Sequence, residues 1–293
     1  DEWVKEEARI RDKKGSPHEL LKGETLQKVH PVKYYALGLR YPGCYGINSF
    51  AYCQEIKNLL IKKGVKIYED SEVDKIEGNT AKLHLGSVTA KNILICIDKM
   101  KTEFDDEISK KIYHVQTYLA VSEPLSKEEI KFMFPKGELM CWDTRIEYIH
   151  YRLVSRNRLM IGGSTAWTAY HPNYVHSPKS IEKFIQRIRE NFPQIKDINF
   201  THYWSGLIDI TPDFEPLVDY DKKNKSIQYA MGCPGLNWAA YCGDYIARRI
   251  LNPEDTENFS EFLNAKRKFF ISSKLQKILG KRLSFLISHY KQF

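Results

Sequence analysis

The chain has 293 residues, 42% of them hydrophobic and 13% aromatic, which is enough to bury a sizeable core in one large domain or two interleaved ones and excludes a disordered chain. The net charge of +8 has one address: Lys266, Arg267, Lys268, Lys274, Lys277, Lys281, Arg282 and Lys291 meet no acidic residue between Ala265 and Phe293. Taking those eight from the 45 basic residues leaves 37 against 37 acidic ones before them, so the body is neutral and no nucleic-acid-binding face is expected.

No run approaches ~18 apolar residues and no charged-then-apolar segment opens the chain, so neither a membrane-spanning helix nor a signal segment is expected. Six scattered cysteines form no CxxC pair, and the nine histidines show no HxH or HExxH spacing. A zinc site, other metal clusters and a disulfide framework are therefore not expected, and a cytoplasmic setting is the default.

In chain order, the charged opening 1–14 reads as a solvated helix, and Ser16-Pro17 as a capped helical turn with Pro at its first position. A turn-rich passage, Tyr41-Pro42-Gly43-Cys44-Tyr45-Gly46-Ile47-Asn48, leads into a helix over 49–63 that Gly64 stops. Short strands follow at 65–68, 72–77, 81–85 and 92–97, with Gly78-Asn79 and Gly86-Ser87 as turns. Longer alternating strands occupy 112–121, 147–154 and 158–163. A helix spans 179–191, strands lie at 199–204 and 226–231, and a helix runs over 236–251. The fold class is mixed α/β with a β-rich middle.

The last strand and helix meet at the small-residue turn Gly232-Cys233-Pro234-Gly235. Unpaired amides and the positive end of the helix dipole at such a turn favour an electron-rich ligand. An ordinary strand–turn–helix corner has the same sequence.

Four ordered passages decide between these. "YWSGLIDITPDFEPLV" followed by "YAMGCPGLNWAA", together with "YPGCYGINSFAYCQEIKNLLIKKGVKIYEDSEVDKIE", "IYHVQTYLAVSEPL" and "EYIHYRLVSRNRLMIGGS", cover about positions 41–251. The set resembles the D-amino-acid-oxidase-like (DAO) FAD oxidoreductases, which include glycine and sarcosine oxidases and gamma-glutamylputrescine oxidoreductases. The resemblance implies an FAD-binding Rossmann-like domain interleaved with a β-rich substrate domain. Segments 1–46 and 101–205 would belong to the substrate side and 47–100 and 206–252 to the FAD domain, with 253–293 a basic tail. It also implies oxidation of a C–H bond beside an amine nitrogen, with hydride passing to flavin N5 and the imine then hydrolysing. Val73, Gly206, Gly232, Pro234, Gly235, Leu236 and Asn237 would lie against FAD.

The departures carry weight too. No G-x-G-x-x-G follows a first strand, so a lead-in of about 80–100 residues is expected to be missing, the FAD domain being incomplete at its N-terminus. Gly206 stands where flavinylated relatives carry Cys, which implies non-covalent FAD. Ala239 replaces a Lys linked with oxygen activation, leaving oxidase and dehydrogenase open. No Arg stands near Leu207–Ile208, where glycine-oxidase-like members bind carboxylate, and Asn237 replaces a common Gly. No catalytic residue is evident.

For a small amine or amino-acid substrate, Arg152 is a candidate carboxylate clamp, and a solvent-facing Arg fits the strand equally. Tyr151 faces the opposite way. His114 and Gln116 share a face and could meet substrate or flavin, or be hydrogen-bonded core residues. Trp142, Trp167 and Tyr170 could wall an amine site, and Asp209 could hold its cation. In the tail, Leu275, Ile278, Leu279, Leu283, Leu286 and Tyr290 approach helical spacing. That fits an interfacial helix for anionic lipid or an acidic electron acceptor, and equally a docked terminal helix. A non-catalytic subunit, a scaffold or peripheral membrane protein using this tail, and an oligomer are the readings that stay open.

Overall fold

The computed structural model describes residues 2–98, 100–101, 104–144, 148–163, 177–252, 254, 260–269 and 272–292. Trp167 and Tyr170 lie outside them.

The β-rich middle folds as a five-stranded antiparallel sheet in the order Phe200–Ile210, Tyr113–Pro124, Arg158–Gly163, Ile149–Val154, Cys141–Trp142. Residues directly opposite in such a ladder point to one side, so the register separates two faces. Tyr118, Ala120, Ile149, Tyr151, Leu159 and Ile161 are buried and pack on Ile181, Phe184 and Ile188 of the helix Pro178–Asn191. The other face carries the row Trp142, His150, Gly162, Leu119 and Trp204, each opposite the next. Trp142 and Trp204 are exposed there. A Cβ on Gly162 would come within 2.7 Å of both Leu119 and His150, so the row closes up only with glycine at its centre.

A second sheet joins Leu217–Tyr220 to Ile227–Met231 in antiparallel fashion and Ile227–Met231 to Ile93–Ile95 in parallel. From Met231 the chain turns into the helix Leu236–Leu251, whose Cys242, Tyr245 and Ile246 pack with Val218 and Leu263. Val73–Glu77, Thr80–Leu83 and Gly86–Thr89 make a separate meander.

Several expectations change. The segment after Ser16-Pro17 is the strand Glu19–Lys22, paired with Leu37–Arg40, rather than a helical turn. Residues 65–68 form no strand and pair with nothing in any described sheet. Gly86-Ser87 begins a strand instead of a turn. Phe200–Ile210 runs through the expected border at 205/206, so the antiparallel sheet extends to Ile210. The helix Ser49–Lys62 forms, capped by the Asn48 side chain accepting from the Ala51 amide, yet it buries none of its residues.

The tail helix, Ser273–Gln292, is broken at Gly280, which sits at φ 74°. It is therefore not one continuous amphipathic rod. Leu275, Ile278 and Leu283 are exposed on it. Among the described residues no helix is long and apolar enough to cross a membrane.

Candidate functional site

The turn before the helix Leu236–Leu251 is shaped by two glycines for different reasons. Gly232 has φ +57°, and a Cβ on it would meet the Thr211 methyl at 3.1 Å and the Ile210–Thr211 backbone at 3.2–3.3 Å, so strand and turn pack closely only with glycine there. Gly235, the N-cap, has φ +91° and ψ 167°, a conformation that L side chains avoid. A Cβ there would meet nothing within 4 Å.

No side chain caps this helix, and Gly235, Leu236, Asn237, Ala239 and Ala240 are exposed. The result is an open helix start with small residues around it and its first amides turned outward. Such a terminus favours negative charge.

Under the turn, the Thr211-Pro212-Asp213-Phe214-Glu215-Pro216 loop is pinned by Arg267. Its guanidinium grips Asp213 through two contacts of 2.8 Å and donates to the carbonyls of Glu215 (2.8 Å), Pro216 (2.9 Å) and Leu263 (3.1 Å). The Thr211 hydroxyl lies 2.8 Å from Asp213 and 2.6 Å from the Glu215 carbonyl. Burial works to raise the Asp213 carboxyl, but Arg267 and Thr211 outweigh it and hold the group below its ordinary value. Arg267, one of the eight tail cations, is thus part of the body rather than of a solvated basic face.

Two sequence candidates are brought together beside this turn. His114 and Asp209 lie opposite each other in the ladder, and Nδ1 of His114 is 2.5 Å from Oδ1 of Asp209. Because a carboxylate only accepts, Nδ1 carries the hydrogen of this bond. The other Asp209 oxygen accepts from the Met100 amide at 3.0 Å, and the Asp209 amide reaches Asp98 at 3.3 Å. Asp209 is therefore a buried carboxylate with both oxygens engaged. Burial, with the Asp209 charge adding to it, holds Asp98 above the ordinary carboxylate range, although the Asp209 amide works the other way.

Gln116 is fully buried and donates to the carbonyls of Gly206 (2.8 Å) and Thr117 (3.2 Å). It is a core residue that holds two strands together. A Cβ on Gly206 would meet only the Thr117 hydroxyl, at 3.9 Å. Val73 opens the meander and is half-buried, with its carbonyl accepting from Lys101 at 3.2 Å.

At the far side of the sheet lies a cavity of about 1180 Å³ between the segment 34–50, the stretch 138–144 and the strand carrying Arg152. Trp142 stacks on Tyr41 with centroids 5.9 Å apart, and Arg11 lies 4.0 Å from the Tyr41 ring on its way to Glu7. Arg152 is half-buried on the open face, in register with Met160 and Val121, whereas Tyr151 points into the core as alternation requires. The Tyr151 hydroxyl donates to His30 Nε2 at 2.5 Å, with His30 Nδ1 donating to the Met133 carbonyl at 2.9 Å. Burial brings His30 down to about 4, so it is neutral at pH 7.

All six cysteines are free, and among the described residues no group of ligating side chains could hold a metal ion. The His114–Asp209 pair was invisible as a pair in the sequence, since 95 residues separate its members. Arg267 gave no signal apart from the Thr-Pro-Asp motif that it serves.

Comparison with known proteins identifies the family. The profile of the DAO family, described as FAD dependent oxidoreductase, matches residues 1–249. The probable oxidoreductase OrdL of Haemophilus influenzae is 24% identical over 259 residues, 84% of this chain and 56% of its own length. The gamma-glutamylputrescine oxidoreductase of Escherichia coli is 25% identical over 208 residues, 69% of this chain and 46% of its own. The chain thus spans about half the length of these relatives. Among solved structures, L-proline dehydrogenase from P. horikoshii superposes with a TM-score of 0.75 at 16% identity, covering 90% of this chain and 73% of that one. At that identity the match speaks for the fold alone.

Proposed function

This chain belongs to the DAO family of FAD-dependent oxidoreductases, and from that premise we propose that it serves the oxidation of a C–H bond beside the nitrogen of an amine or amino acid. The observation that carries the reading is the open, uncapped start of the helix Leu236–Leu251. Its exposed amides offer a fixed positive field at a place where Gly235 leaves room for a flat ring.

Gly232, Pro234, Gly235, Leu236 and Asn237 would hold the flavin ring, with Gly206 and Val73 nearer its flanks. When bound, the flavin supplies the two-electron acceptor for the substrate's C–H bond. The residues of the chain prepare the rest. Arg267 fixes the loop on which Gly232 rests. The open sheet face, with Leu119, Gly162, His150 and Trp204, forms an apolar floor for the substrate stem.

With glycine at 206 no nucleophile stands there to bond the ring, so the cofactor is held without a covalent link. The test is to load the full-length protein, in which this chain is joined to its pyrophosphate-binding lead-in, with FAD, remove the excess and precipitate it with acid; residues 1–293 alone are expected to bind FAD weakly or not at all. Stoichiometric flavin recovered in the supernatant is the expected result. Protein that retains no flavin at saturating FAD overturns the reading, and a yellow pellet overturns the non-covalent attachment.

A further inference from the structure

The functional reading places the reacting end of the substrate near the helix start, and it leaves the large cavity at the other side of the sheet without a task. Arg152 is the feature there that calls for a partner. Its guanidinium lines the cavity, half-buried, and makes no hydrogen bond or ion pair among the described residues. Arg40 is matched with Glu19, Arg11 with Glu7 and Arg187 with Asp143, and Arg156, which also lines the cavity, is exposed to solvent. A partly desolvated cation with five donors is costly to leave unserved.

Gly46 gives an independent sign that the guanidinium belongs where it is. A Cβ on Gly46 would lie 2.5 Å from Nη1 of Arg152 and 3.1 Å from Sδ of Met140. Gly46 is not among the residues with positive φ, so its backbone does not require glycine. The missing side chain makes room for the arginine head. His150, two residues earlier on the same face, is pushed below its ordinary value by burial and by the Arg152 charge, so it does not add a second cation.

Position then selects the ligand. Arg152 is on the fourth strand of the sheet and Gly206 on the first, three spacings or roughly 14 Å apart across the sheet at about 4.8 Å per strand, and the register sets Arg152 level with His202, four residues along the strand from Gly206. An α-amino acid carries its carboxylate on the same carbon as its amine and cannot reach across that distance.

We propose that Arg152 receives a terminal carboxylate on the far end of an extended amine substrate, whose apolar stem crosses the open sheet face between the arginine and the helix start. A planar carboxylate suits the guanidinium because two parallel N–H···O bonds form at once. The orientation rests on the functional reading above; the carboxylate site itself does not. This also accounts for the absence of an arginine near Leu207–Ile208, since the anionic group is bound elsewhere.

The test uses nonanoate, which has the terminal carboxylate and an apolar stem but no oxidisable amine. Isothermal titration compares it with its neutral methyl ester on the wild-type protein, Arg152→Gln, Arg152→Lys and Gly46→Ala, each checked by thermal melting. We expect the acid to bind about ten-fold more tightly than the ester to the wild type. That preference vanishes in Arg152→Gln, is partly kept in Arg152→Lys and is weakened in Gly46→Ala. Equal binding of acid and ester, no binding of the acid at millimolar concentration, or a preference that survives in Arg152→Gln overturns the proposal. Because the probe cannot be oxidised and needs no flavin, such a failure is separate from failure of the flavin-retention test.

Discussion

Asn237 stands at the second position of the helix Leu236–Leu251, exposed and without a capping role. Replacing it with Asp adds one negative charge where the helix dipole is positive and disturbs no packing. For the protein alone the change is favourable, by about 0.3–1 kcal/mol for a carboxylate in the first turn of a helix. That corresponds to a rise of up to about 2–4 °C in melting temperature at this chain size.

For a flavin at the same place the sign is opposite. The reduced ring carries negative charge, and a fixed carboxylate both uses up the dipole and repels that charge. With about 2 kcal/mol lost from the reduced form, the upper end for a helix terminus, the two-electron midpoint potential falls by about 40 mV. The oxidised ring is neutral and its affinity changes little. The assay is a dye-coupled potential titration alongside a thermal melt of Asn237→Asp and wild type. A variant that melts no lower yet has an unchanged potential refutes the placement of the ring at this helix. A fall in melting temperature refutes the account of the helix start as an uncapped, open terminus.

The remaining expectations concern what supports the site. Arg267→Ala should lose about 3 kcal/mol in urea unfolding, because it leaves Asp213 charged, largely buried and unpaired. Asp213→Asn added to it should restore part of the loss, and strict additivity counts against the pair. His30 takes up its proton at about 4 when folded and near 6.5 when unfolded. Its contribution is complete above pH 6.5 and is lost as pH falls toward 4, because only the unfolded chain is protonated in between. Between pH 7 and pH 4.5 the wild type should therefore lose about 2–3 kcal/mol more than His30→Gln; parallel losses contradict the neutral buried imidazole.

Local patterns were legible wherever local physics decides the structure. The helix Leu236–Leu251 was readable to both ends because glycines bound its entry and its apolar residues keep one face. The strand Arg158–Gly163 was readable from alternation for the same reason. Residues 65–68 have strand composition, but a strand exists only against a neighbour, and none of the described sheets offers one. Glu19–Lys22 shows the reverse: Ser-Pro indicates a helix start, and the distant partner Leu37–Arg40 overrides it.

The site follows the same division. Alternation placed Arg152 and Tyr151 on opposite faces, which is what the sheet shows. It gave His114 and Gln116 one face, but only the register of Tyr113–Pro124 on Phe200–Ile210 sets Asp209 against His114 and the Gly206 carbonyl against Gln116. Two residues that looked like separate substrate contacts thereby become one hydrogen-bonded pair, and a third becomes a strut. Charge behaves likewise. The excess in the tail could be counted from composition, whereas the fact that Arg267 leaves that excess to hold Asp213 depends on a contact 54 residues away. A sequence states which side chains can carry a charge or a proton; the fold decides which of them are already occupied. Arg152 remains a ligand candidate because, among the described residues, nothing in the protein occupies it.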